Sequence, residues 1–184
     1  VAWDSAPKAL ADMRHWPLPS DSACMFFPRL LGYDKLRGRF EVFAPSGAVA
    51  GTMSRASEHW PVWSGASGED AIVRPGLKLA CAVDDEQRAR LAAAGVNAVQ
   101  TVRRPGREGP RACTMAGPGA TFPDWRSLSA RRLALLAVNS IERGTRWMVF
   151  EPNEPSTWRR AECQVRSFLA TLEEREAFAE REVG

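Results

Sequence analysis

His15 and His59 are the only two histidines in the sequence, and each is followed by tryptophan. Triad or general-base chemistry would have to be built on one of them, because imidazole is the side chain that trades protons near neutral pH. Neither stands in a nucleophile setting. Gly-x-Ser-x-Gly is missing, as is the Gly-x-x-x-x-Gly-Lys-Ser/Thr loop that cradles phosphates. His59 beside Trp60 reads as a loop residue stacked on its neighbour. The glycine-bearing loops Arg104-Pro105-Gly106 and Gly117-Pro118-Gly119 lack the strand–loop–helix context of an anion site and read as tight turns. Asp84 and Asp85 would suit paired-carboxylate catalysis, but a helix N-terminus explains both charges. Cys24, Cys81, Cys113 and Cys163 stand far apart, without a Cys-x-x-Cys or Cys/His pair at ligand spacing, and read as small buried hydrophobes. The Trp60/Trp63 and Trp147/Trp158 pairs are of a kind that stacks ligands, yet aromatic core packing is the simpler reading. These residue types and spacings point away from an enzyme, a cofactor and a metal.

Composition narrows the class further. A chain of 184 residues suits one domain with a sizeable core, and 45% apolar with 26% charged residues is ordinary for a globular protein. No run of about 18 apolar residues marks a membrane span, and no basic–apolar–small series at the start marks a secretory signal. A net charge of +3 is too small to argue for nucleic acid. Of 25 basic residues only Lys8, Lys35 and Lys78 are lysines, so 22 are arginines. A GC-rich genome explains that bias, and packed protein surfaces can exploit it. Four isolated thiols fit synthesis in a reducing cytosol.

The pattern along the chain predicts an α/β layered domain, a mixed sheet flanked by helices. Residues 1–22, with Pro7, Pro17 and Pro19, read as an extended lead-in. Strands are expected at 23–27, 39–43 and 77–83, with a turn at 34–38. Residues 48–56 are small and suit a tightly packed helix after Pro45-Ser46-Gly47, with Ser46 as its cap. Asp84-Asp85-Glu86-Gln87 is a capping-box pattern, and Gly95 supplies the left-handed stop of the helix it opens. Residues 97–103 and 111–116 suit a hairpin. Leu133, Leu136, Ala137 and Ile141 share one helical face, and Gly144 ends that helix. Residues 147–150 then read as a central strand with apolar side chains on both faces. The last helix opens at Asn153 or Glu154, takes Pro155 in its first turn, and carries Trp158, Ala161, Val165, Phe168, Leu169 and Leu172 as a stripe. Glu176-Ala177-Phe178 either continues that helix or starts a compressed strand.

One run draws these elements together. Residues 142–153, ERGTRWMVFEPN, resemble nearly letter for letter the EGTRWVVFEPN signature of contractile tail sheath proteins. The residues carrying it are Trp147, Phe150, Pro152 and, beyond it, Trp158. Residues 44–51, APSGAVAG, resemble the family's PPSGxVAG element through Pro45 and Gly47. Residues 24–28, CMFFP, are similar to its ALYFPW strand, 91–101 to its LNxxGINxLR, and 131–133 to its VRRL. These elements keep the family's order from about 23 to 172.

The resemblance implies a structural subunit of a contractile phage tail sheath, or of a related injection system. Such a subunit polymerises around a tube and rearranges on contraction to drive that tube into a target cell. The partners it implies are copies of the chain, the tail tube protein, and baseplate and tail-terminator proteins, with no nucleic acid and no membrane span. It further implies assembly in the bacterial cytoplasm and residence in a virion tail or injection particle. Family subunits are longer, so residues 23–184 are expected to be a sheath core-like domain with shortened termini. Arg159, Arg160 and Arg166 on the last helix are expected to face the tube or a neighbouring subunit. A short baseplate or tail-end component is the alternative within this class. A small α/β enzyme or ligand-binding domain is the alternative outside it.

Overall fold

A computed structural model describes residues 4–13, 20–64, 72–73, 76–99, 112–116 and 123–178. The chain divides into two compact units, 1–131 and 132–184.

The first unit is mixed α/β. Helix α1 spans Ala6–Met13, then come strands β1 (Met25–Phe27), β2 (Leu30–Asp34) and β3 (Arg39–Phe43). Helix α2 (Ser46–His59), strand β4 (Lys78–Leu79), helix α3 (Asp85–Ala93) and strand β5 (Val96–Ala98) follow. β1 pairs in parallel with β5, while β2 is antiparallel to both β3 and β4. Parallel and antiparallel pairing thus occupy two small sheets, and helices flank them as the sequence pattern implies.

Strand periodicity places the core. Phe27 joins Ala6, Ala9, Val83, Leu91 and Val96 in one apolar cluster, with Met25 packed against it. Phe26, on the opposite face of β1, packs against a second cluster of Leu30, Val73 and Val99. β1 therefore divides two cores, with α1 and α3 contributing to one and α2 to the other. Asn97 fastens the neighbouring segment: its Nδ2 donates to the carbonyls of Met25 (3.0 Å) and Cys113 (2.7 Å), and its Oδ1 accepts from Cys113 N–H. A buried amide with its donors and acceptor engaged fixes one arrangement rather than several.

Several local expectations hold. Asp84 accepts from the Gln87 backbone N–H at 2.7 Å and Gln87 Oε1 accepts from Asp84 N–H, a complete capping box for α3. Gly95 follows at φ +82°, the left-handed region where a side chain is strained. The Arg126 guanidinium then donates to the carbonyls of Ala92 and Ala93, groups that a helix end leaves unpaired.

Others are corrected. Residues 6–13 of the lead-in are helical, because Pro7 in a first turn forfeits no helical hydrogen bond and Ala6 and Ala9 bury one face in the core. Residues 14–19 lie outside the described part. The N-cap of α2 is Pro45, not Ser46, and no side chain caps it. Within 77–83 only Lys78–Leu79 pairs as a strand, since β2 offers partners to those two residues alone. Cys113 forms an isolated bridge with Ser127 rather than a hairpin with 97–103, of which only residues up to 99 are described.

In the second unit, α4 (Leu128–Gly144, begun in the first unit) leads to a 3-10 helix at Arg146–Phe150 and then to α5 (Pro155–Glu174). The strand expected at 147–150 is thus a helical turn. No strand is described in this unit, and an unpaired strand leaves its backbone groups unsatisfied. The chain closes them locally instead: Met148 N–H bonds Thr145 carbonyl and Glu151 N–H bonds Met148 carbonyl. α5 opens with Glu154 as N-cap and Pro155 in its first turn, as expected. It ends before Glu176, which turns at φ 57°, so the segment at 176–178 is neither helix nor strand.

Candidate interaction surface

The signature run folds onto the start of α5 through polar contacts. Trp147 Nε1–H donates to Gln164 Oε1 at 2.9 Å, and Gln164 Nε2 donates to the Gly144 carbonyl at 3.0 Å. The Arg160 guanidinium lies 4.2 Å from the centre of the Trp147 ring and 3.7 Å from the Glu151 carboxylate. Trp158 Nε1–H donates to Asn153 Oδ1 at 2.7 Å. These bonds close the 151–154 turn, where Glu154 N–H also meets the Pro152 carbonyl. Pro152 itself is exposed.

The expectation that Phe150 and Trp158 pack the core is corrected. Phe150 is 92% exposed, Val149 78% and Trp158 54%, whereas Trp147 is half-buried under Arg160. With a helical turn in place of a strand, Phe150 has no strand neighbour among the described residues of this unit. On α5 the predicted stripe buries Ala161 and Leu172 fully, half-buries Val165 and Phe168, and leaves Leu169 outside. No described residue of α4 is fully buried; Leu133, Leu136, Ala137 and Ile141 are half-covered.

The three arginines of α5 are exposed, and each has a local partner. Arg159 Nε donates to the Pro155 carbonyl, Arg166 pairs with Glu162 at 2.8 Å, and Arg160 holds Trp147 and Glu151. Earlier in the chain, Pro45 is half-buried and its carbonyl accepts Val49 N–H in the first turn of α2. Gly47 is exposed, and a Cβ added there would meet nothing within 4 Å.

Sequence reasoning missed the β2–β3 hairpin. The register pairs Leu31 with Val42 and Tyr33 with Phe40, on the sheet face opposite buried Leu30 and Gly32. Tyr33 and Phe40 meet edge to face at 5.4 Å between ring centres, and both rings remain more than half exposed. The alternation of 39–43 was legible, but it could not show that Phe40 stays exposed.

His59 is exposed in the last turn of α2, and His15 lies outside the described residues. Burial raises the pKa of Cys24, Cys81 and Cys113 above the ordinary thiol value, with the charge of Cys113 adding to the effect at Cys24. A thiol held protonated is a poor nucleophile. Among the described residues no group of three or more His, Cys, Asp or Glu is placed to hold a metal, and no helix is long and apolar enough to cross a membrane.

No protein-family model and no curated protein matches the sequence. Solved structures do. A chain in the cryo-EM structure of the anti-feeding prophage (AFP) baseplate superimposes with TM-score 0.69 and 24% identity, over 84% of this chain and 40% of that one. A chain in the contracted-state PVC sheath complex of an extracellular contractile injection system superimposes with TM-score 0.74 and 21% identity, over 92% of this chain and 45% of that one. The chain spans less than half the length of either. At these identities the likeness is one of fold: the mixed α/β architecture of this chain recurs in a chain of the AFP baseplate structure and in a chain of the PVC sheath complex.

Proposed function

We propose that this chain is a structural subunit of a contractile injection assembly, packing with copies of itself around an inner tube and acting without an enzymatic step. The observation that carries this reading is the superposition of 92% of the chain on part of a contracted sheath complex. The ordered series of sheath-like sequence elements and the apolar surface left open on α4, α5 and the β2–β3 hairpin support it. Large exposed apolar side chains grouped on one element mark protein contacts more often than free surface. In this reading the protein resides in the assembled particle, and Arg159 and Arg166, whose local carbonyl and carboxylate bonds leave them exposed, face the tube or a neighbour. Arg160 braces the Trp147 turn. The superposition on the AFP baseplate favours a second reading within the same class, a sheath-like baseplate component.

Copy number separates the two. Quantitative mass spectrometry of purified native particles should find this chain in tens of copies per particle if it forms the sleeve. A single ring's worth would favour the baseplate, and its absence from particles would refute both readings.

A further inference from the structure

We draw no further inference here: the strongest candidate, the exposed Tyr33 and Phe40 face of the β2–β3 hairpin, is an unpartnered apolar surface, and nothing in the structure shows what covers it.

Discussion

Trp147 and Gln164 are joined by an indole N–H to amide oxygen bond of 2.9 Å, and the other end of the same amide reaches back to the carbonyl of Gly144. One side chain of α5 thus holds both the end of α4 and the turn that follows it. Arg160, one helical turn before Gln164, covers a face of the indole. The most family-like stretch of the sequence is therefore fastened by polar and cation–π contacts, with Phe150 left outside.

Removing that amide should be felt in stability. Gln164→Ala is expected to cost about 1 kcal/mol in urea unfolding, the usual net worth of a hydrogen bond between partly exposed groups. Arg160→Ala should cost less, about 0.5 kcal/mol, typical of an exposed cation–π pair. The two should not add, because both brace the same ring. A neutral Gln164→Ala would show that the signature turn is held by something else.

Gly95→Ala should destabilise by about 1 kcal/mol or slightly more, since residue 95 sits at φ +82°. The neighbouring Thr114 carbonyl would lie 3.5 Å from the new Cβ, ordinary contact distance, so the cost is conformational rather than steric. Thermal melts of Gly95→Ala and Gly95→Asn separate these causes. Asparagine tolerates the left-handed region and should retain part of the loss, whereas equal losses would point to crowding.

Gly51→Ala is expected to have the opposite sign. Gly51 lies inside α2 with nothing within 4 Å of an added Cβ and without positive φ. Alanine there should stabilise the isolated chain by roughly 0.5–1 kcal/mol through helix propensity. A destabilised variant would mean that α2 packs more closely than its open surroundings indicate.

The cysteines make a prediction about reactivity and alkaline pH. Exposed Cys163 should label with a maleimide well before Cys113, which is buried and raised in pKa. For Cys24, Cys81 and Cys113 the folded pKa lies above the ordinary 9.0. The stabilisation linked to their protonated state is present in full below pH 9.0 and is lost as pH climbs through the raised folded values. Denaturation midpoints measured from pH 8 to 10.5 should fall, and Cys113→Ala should fall less steeply. An identical slope would exclude this thiol as a contributor.

What the sequence made legible were the elements set by local chemistry. The Asp84–Gln87 box, the Gly95 stop, the alternation of 39–43 and the Pro155 opening of α5 depend on a few neighbouring residues, and each stands where its pattern placed it. Elements that depend on a distant partner were misread. Residues 147–150 have a strand's side chains, but a strand exists only beside another strand, and none is described in that unit. Helix α1 was hidden by the prolines around it, and only the cluster of Ala6 and Ala9 with Phe27 and Leu91 explains it. The hairpin face was invisible for a related reason: Phe40 and Val42 have core-type side chains, and only the structure shows them exposed.

A cryo-EM reconstruction of the native particle, at a resolution that shows helices, would show directly whether this chain is a repeated subunit. This mixed α/β fold should be repeated around the particle axis, each copy contacting the next. A particle in which no repeated density accommodates the fold, while the purified chain stays a monomer, would contradict it.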